Sequence, residues 1–181
     1  MKRYLPLLLI LGFLSCSTSK KELDTVYFAG EIVNPTSEYV VLYKGSSVID
    51  SAQLDGNNRF SFSLDLIDDG LYHFNHAPEY QYVYLEKGDS LLVRLNTQDF
   101  DESLVFSGTN EEVNNFLLEL FLANEEEERT VHSEYYDFEA DDFAREIDAL
   151  ANDKLKALNA IKLESELSGK AYEIAKASIN Y

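Results

Sequence analysis

Apolar and polar residues alternate along the first half of the chain, over residues 26–106. Within the segment 60–66, phenylalanine and leucine interleave with serine and aspartate. Because successive side chains of a strand point to opposite faces, this period of two gives one buried and one solvated face. Segments of this kind, or short apolar runs of strand length, lie at 26–33, 39–43, 48–54, 60–66, 71–74, 80–85, 91–95 and 104–106.

Turn-forming residues separate these segments. They include a proline at 35, a glycine at 45 and the Asp55-Gly56-Asn57-Asn58 sequence, which is typical of a hairpin turn. About eight short strands at roughly 8–12-residue spacing predict an antiparallel β-sandwich or a partly open barrel. We place this sandwich domain at residues 25–108.

After Gly108 the apolar residues recur at helical steps. Thr109 and Glu112 fit a capping box at the start of a first helix. The pattern predicts a second helix over 139–165 and a third that begins near Ser168. The glutamates at 125–128 would end the first helix, because the macrodipole disfavours negative charge at a helix C-terminus.

The predicted fold class is therefore α+β, with a helical segment of about three helices over residues 109–181. The last of these helices reaches Tyr181 with no glycine cap and no terminal basic residue. We therefore expect the helical segment to continue into a C-terminal domain; the alternative is that its last helix docks on a partner.

The N-terminal residues have the pattern of a bacterial export signal. Lys2 and Arg3 precede an apolar run over 5–14, and the chain's single cysteine, Cys16, follows directly after Ser15. The run is shorter than the roughly 20 residues of a spanning helix. We predict a lipoprotein signal peptide over 1–15, lipid attachment at Cys16, and a polar tether over 16–24 that holds the protein on the periplasmic side of the inner or outer membrane. The alternatives are an ordinary secreted protein and an uncleaved membrane helix.

The charge and the cysteine content reduce the number of possible functions. The chain has 33 acidic against 15 basic residues and a formal net charge of −18. Such a surface repels phosphate groups, which excludes nucleic acid as an expected partner. With one cysteine there is no internal disulfide and no redox-active thiol pair.

Few residues suggest catalysis or metal binding. His73 and His76 are three residues apart on one strand, so they point to opposite faces and cannot easily share a metal ion. His132 has no cysteine or histidine near it in sequence. The acidic residues that could form a general acid–base pair lie at strand ends or in turns, where carboxylates are solvated; they are Asp65, Asp68, Asp69, Asp99, Asp101 and Glu102. We therefore predict no catalytic residue, no metal and no cofactor.

Three tyrosines give the best indication of a ligand. Tyr80, Tyr82 and Tyr84 alternate along one predicted strand and therefore share one face. An aromatic face of this kind binds sugars or peptides. The alternative is that these tyrosines pack between the sheet and the helices, with their hydroxyls reaching water.

Several segments are similar to a known family. They are FAGEI at 28–32, YVYLEKGDSL at 82–91, FDESLVFSG at 100–108 and NNFL at 114–117. Together they resemble the N-terminal region of lipid-anchored, TlpA/ResA-like thiol–disulfide oxidoreductases of Bacteroidetes. The resemblance covers roughly residues 25–181 and implies a β-sandwich and a helical segment ahead of a thioredoxin-like domain.

The resemblance also implies that the redox reaction belongs to the thioredoxin-like domain and not to this chain. The family's redox chemistry needs a Cys-x-x-Cys pair, and this chain has only Cys16. The expected function is therefore that of a non-catalytic envelope module whose partner is a thioredoxin-like domain in cis or an envelope protein in trans. The alternative is a stand-alone envelope lipoprotein that binds a glycan or peptide on its tyrosine face.

Overall fold

The computed structural model describes residues 24–65, 67–130 and 137–179. The predicted signal peptide, the lipid attachment site Cys16 and His132 lie outside the described residues. Within the described ranges strands come first and the longer helices follow, so the predicted α+β class is confirmed. None of the helices in these ranges is long and apolar enough to cross a bilayer.

Eight strands and four helices follow one another along the described chain. The strands are β1 (Val26–Val33), β2 (Tyr39–Lys44), β3 (Ser47–Gln53), β4 (Arg59–Leu64), β5 (Gly70–His76), β6 (Glu79–Leu85), β7 (Ser90–Asn96) and β8 (Val105–Gly108). The helices are α1 (Phe100–Ser103), α2 (Glu111–Thr130), α3 (Ala140–Glu164) and α4 (Gly169–Ser178).

The strands form two four-stranded sheets. Sheet I has the order β4-β1-β7-β8 and sheet II the order β3-β2-β5-β6. Most neighbours are antiparallel, as predicted, but β1 and β7 pair in parallel, with Phe28 opposite Leu91. This pairing was not predicted, because alternation along one strand carries no information about the direction of its neighbour.

The turn at Asp55 differs from the predicted hairpin, since it carries the chain from β3 in sheet II to β4 in sheet I. One carboxylate oxygen of Asp55 accepts the backbone N–H groups of Asn57 at 2.8 Å and Arg59 at 2.9 Å. These two hydrogen bonds hold the pKa of Asp55 below its usual range. The sequence Asp55-Gly56-Asn57-Asn58, which is typical of a hairpin turn, thus forms a crossover between the two sheets.

The core of the sandwich is aromatic. The Phe28 ring of sheet I lies 5.5 Å from Phe74 of sheet II and 5.7 Å from Phe60, centroid to centroid. Along β4 the apolar residues are buried and the serines are exposed, which confirms the predicted alternation. Edge-to-face and tilted ring pairs of this kind add stabilisation beyond their buried area.

Helix α2 closes one open side of the sandwich through two consecutive asparagines. The Asn114 side chain accepts the Tyr84 N–H at 2.7 Å and donates to the Tyr84 carbonyl at 3.0 Å. The Asn115 side chain does the same for Phe106, at 2.9 and 3.0 Å. Tyr84 is on β6 and Phe106 on β8, so each lies on one of the two edge strands of its sheet. One edge of each sheet is therefore joined to the same helix, and we call this pair of contacts the asparagine clamp.

Helix α2 contributes side chains to two hydrophobic cores. Leu118 faces into the sandwich. Other side chains of α2 form a second core on the outer face of sheet II, together with residues of β6, α3 and α4; its buried members are Tyr84, Val113, Phe116, Leu120, Leu158, Ala171 and Ala175.

The glutamates at 125–128 do not end α2, contrary to the prediction, and the helix runs on to Thr130. Glu127 forms an ion pair with Lys154 of α3, and Glu126 forms one with Arg129 at 2.6 Å. These neighbouring cations offset the unfavourable macrodipole interaction. The sequence of α3 predicts an apolar stripe of Phe143, Ile147, Leu150, Ala151, Leu155, Leu158 and Ile161. This stripe is only partly buried, since Phe143 and Ile147 stay more than one third exposed.

The predicted capping box at the start of α2 is also replaced. The Thr109 hydroxyl accepts the Ser90 N–H at 2.7 Å, and it is the Glu111 carboxylate that accepts the Gly108 N–H, at 2.7 Å. Gly108 has φ +108°, and a Cβ there would lie 2.2 Å from the Ser90 carbonyl oxygen. A glycine is thus required where the chain leaves β8 for α2.

His76 is fully buried and has a structural role. Its Nε2 accepts the backbone N–H groups of Thr36 at 3.0 Å and Ser37 at 3.3 Å, so its Nδ1 carries the proton and donates to the Tyr39 carbonyl at 3.1 Å. Burial lowers the pKa of His76 below 6.5, and the Tyr39 carbonyl offsets part of that shift. The His76 ring, in its neutral form, therefore fixes the loop between β1 and β2.

We expect the free energy of unfolding to depend on pH through this residue. Because the unfolded chain takes up the proton first, the stabilisation is complete above pH ~6.5 and is lost as the pH falls below that value. Burial also lowers the pKa of His73, so both histidines act in the same direction. Urea denaturation at about pH 7.5 and 5.5 should show a smaller pH effect in His76→Gln than in the control His73→Gln. An unchanged pH effect in His76→Gln would contradict the assignment.

Candidate functional site

The three predicted tyrosines differ in exposure. Tyr80 and Tyr82 are 55% and 45% exposed, whereas Tyr84 is fully buried in the second core. The Tyr84 hydroxyl makes no hydrogen bond of good geometry among the described residues, and burial raises its pKa. Tyr84 therefore packs between the sheet and the helices, which was the alternative interpretation for all three tyrosines. Tyr80 and Tyr82 remain on an exposed face of the strand.

Two further rings extend that face. The His73 ring lies 5.7 Å from Tyr80 and 5.9 Å from Tyr82, edge to face, and Tyr43 stacks on His73 at 4.9 Å with the rings nearly parallel. We call the residues Tyr43, His73, Tyr80 and Tyr82 the tyrosine surface. The His73 ring contacts the other three rings, so the surface is a packed cluster rather than a set of separate side chains.

Beside the tyrosine surface lies an apolar cleft of about 460 Å³. Sheet II forms its floor, and α2 and α4 form its walls. Tyr82 belongs to both the tyrosine surface and the cleft. The residues that line the cleft are Leu71, Gln81, Tyr82, Leu117, Leu120, Phe121, Asn124, Ile174, Ala177 and Ser178. The size and apolar lining are those of a site that accepts small ligands or side chains.

Helix α4, one wall of the cleft, is held by a polar network at its start. The Ser168 hydroxyl accepts the Ala171 N–H at 3.0 Å as an N-cap and donates to the Glu86 carboxylate at 2.6 Å. Asn110 links the same carboxylate, at 3.3 Å, to the buried Asp89, at 2.9 Å. Burial raises the pKa of Asp89, and its hydrogen bonds from the Glu86 N–H and Asn110 offset part of the shift. This network ties α4 to the turn after β6.

The cleft has an acidic rim on the side of α1. The Gln81 amide donates to the Asp101 carboxylate at 3.2 Å. Its carbonyl accepts the Tyr82 N–H at 2.6 Å, so the Gln81 side chain is fixed at both ends. Burial raises the pKa of Asp101, and the negative charge of Glu125 adds to the shift. We call Asp101 and Glu125 the acidic rim.

The acidic rim was missed from the sequence because it is assembled from distant elements. Asp101 was placed among solvated turn carboxylates, yet it is half-buried and faces Glu125 of α2. His73 lies on the outer face of sheet II and His76 in the interior, as their spacing predicted. Among residues 24–65, 67–130 and 137–179 there is no group of three histidine or acidic side chains placed to hold a metal ion.

Comparison with known proteins gives little. No protein-family model and no curated protein matches the chain. Among solved structures there is a match to a protein of Bacteroides ovatus ATCC 8483 described as a "putative cell adhesion protein", at 11% identity and a TM-score of 0.26. The match covers 49% of this chain and 44% of that one. A likeness this weak carries no argument about fold or function.

The accessibility of the cleft can be tested by filling it. The chain has no tryptophan, so a single indole reports its own surroundings. We expect the indole of Ala177→Trp to enter the cleft and to fluoresce at shorter wavelength than that of the control Ala160→Trp, which is on an exposed position of α3. Acrylamide should quench it less. Equal emission and equal quenching in the two variants would show that the cleft does not admit an aromatic side chain.

Proposed function

We propose that the chain is a non-catalytic binding module of the bacterial cell envelope, held at a membrane by lipid on Cys16, and that the tyrosine surface and the cleft hold a protein partner. The observation that carries the proposal is the exposure of Tyr80 and Tyr82 beside an apolar cleft. Contiguous exposed apolar surface next to a concavity is typical of interaction sites.

The chemistry of the surface suits a protein. Tyrosine is enriched in interfaces because it offers a large apolar ring, a polar tip and little conformational entropy to lose. The ring contacts of His73 with Tyr80 and Tyr82 reduce that entropy further. We propose no reaction for this chain.

The resemblance to TlpA/ResA-like oxidoreductases suggests which protein. Such enzymes exchange electrons through a thiol pair, and this chain has one cysteine, which the proposal commits to lipid attachment. We therefore propose a thioredoxin-like domain as the partner, in cis or in trans, with this chain as its membrane-anchored accessory module.

A second candidate is a stand-alone lipoprotein that binds a glycan or peptide. The observation that favours it is the stacked Tyr43–His73 pair next to Tyr80, which combines ring faces with hydroxyl and imidazole groups. Sugars use both features, since their apolar ring faces stack and their hydroxyls form hydrogen bonds.

Photo-crosslinking distinguishes these candidates. We propose to place p-benzoylphenylalanine at position 82 in the full chain, in cells of the native bacterium, and at position 27 as the control. Tyr27 is 43% exposed and Tyr82 45%, so the two positions are matched in accessibility, but Tyr27 is on sheet I. The full chain is then extracted from the envelope membranes, and its intact mass also reports whether Cys16 carries lipid.

The expected result is an adduct at position 82 that position 27 does not form, with a thioredoxin-like domain as its second component. An adduct with a glycan or a short peptide would support the second candidate instead. The same adducts at both positions, or none at position 82, would contradict the proposed binding surface.

A further inference from the structure

We infer that the cleft receives an extended segment of a protein that places an apolar side chain between α2 and α4 and a lysine or arginine against the acidic rim. This inference rests on the proposed function and specifies the chemistry of the partner. It is carried by the juxtaposition of an apolar cleft with two carboxylates that no cation of the described chain neutralises.

The apolar half of the site is the cleft itself. Leu117 and Phe121 of α2 face Ile174 of α4, with Leu71 beneath them. Phe121 is 39% exposed, so a side chain that enters the cleft removes apolar surface from water on both sides. Burial of this kind contributes roughly 25 cal/mol per Å² of apolar area, before the costs of association.

The charged half is connected to the cleft through two residues that line it, Gln81 and Asn124. Gln81 lines the cleft and its amide holds Asp101 at 3.2 Å, and Glu125 follows the cleft residue Asn124 in α2. Lys154 of α3 is already engaged by Glu127 and by Asn124 at 2.7 Å. Within the described ranges no ion pair reaches Asp101 or Glu125.

These two carboxylates favour a cationic partner. A half-buried carboxylate close to another negative charge is unfavourable in the free protein. A guanidinium or ammonium group donates charge-assisted hydrogen bonds and removes the repulsion at the same time. The net charge of −18 acts in the same direction at long range, because it raises the rate of encounter with basic segments.

The inference is tested by selecting peptides from a random dodecamer phage library on the full chain, anchored in phosphatidylcholine nanodiscs. The rim variant is Asp101→Asn with Glu125→Gln; the amide oxygen at 101 can still accept the Gln81 hydrogen bond, so the fold is kept. The control variant is Asp148→Asn with Glu164→Gln, which removes the same charge from exposed positions of α3 that do not line the cleft. Ala177→Trp serves as the chain with a filled cleft.

We expect the wild-type chain to select peptides in which an apolar or aromatic residue is followed closely by lysine or arginine. The rim variant should lose the enrichment of basic residues by about tenfold or more, and the control variant should retain it. Selected peptides without basic residues, or an equal loss in both double variants, would overturn the inference while leaving a binding cleft. If the wild-type chain selects nothing beyond what Ala177→Trp selects, the proposed function itself fails.

Discussion

The asparagine clamp fixes helix α2 against one edge strand of each sheet. A primary amide carries one acceptor and one donor group, so a single side chain can satisfy both the N–H and the C=O of an edge-strand residue, as a further strand would. Asn114 does this for Tyr84 of β6 and Asn115 for Phe106 of β8. Leaving such buried groups without partners would cost about 1–3 kcal/mol each. Because the two asparagines are adjacent in one helix, the clamp fixes α2 against both sheets at once.

The position of α2 determines which parts of sheet II remain accessible. The helix crosses the edge of the sheet at Asn114, and Val113 and Phe116 cover Tyr84. One turn further on, Leu117 and Phe121 only flank the sheet, and α4 completes the opposite wall. Tyr82 is two residues from Tyr84 on the same strand, but it is beyond the cover of the helix. The cleft and the exposed tyrosines therefore follow from where the clamp places α2.

The clamp also protects one edge of each sheet, at β6 and β8. An open edge strand exposes unpaired backbone groups that can pair with another chain. In β6 and β8 the clamp occupies these groups at Tyr84 and Phe106, and Gln81 occupies the N–H of Tyr82 with its own carbonyl. Side-chain contacts in the cleft, rather than strand addition, are therefore the mode of binding that this edge favours.

A feature of this structure could be predicted from the sequence where it depends on neighbouring residues, and could not where it depends on residues far apart along the chain. The alternation of apolar residues is local, so all eight strands could be placed from it, and α3 and α4 each begin one residue after their predicted start. The parallel β1–β7 pair and the crossover at Asp55 could not, because they depend on partners far along the chain. Helical periodicity predicted a helix after Gly108 but not the division of its apolar side chains, in which Leu118 enters the sandwich and Phe121 stays at the cleft.

The candidate site shows the same limit. Tyr82 and Tyr84 are equivalent in the local pattern, and only a contact over 30 residues, from Asn114 to Tyr84, separates a packed tyrosine from an exposed one. The acidic rim joins α1 to α2 and has no motif of its own. The paired asparagines were visible in the sequence, but an amide side chain directed at a strand edge has no local pattern by which to recognise it.

Native-state hydrogen exchange at two backbone amides tests the clamp most directly. We predict that the Tyr84 and Phe106 N–H groups, although they are on edge strands, exchange as slowly as the N–H of Phe28 in the central strand β1. In Asn114→Ala, exchange at Tyr84 should accelerate relative to Phe28 by about tenfold or more, whereas the exposed control Asn152→Ala should leave it unchanged. Fast exchange at Tyr84 in the wild-type protein, or no acceleration in Asn114→Ala, would show that Asn114 does not protect this edge of sheet II.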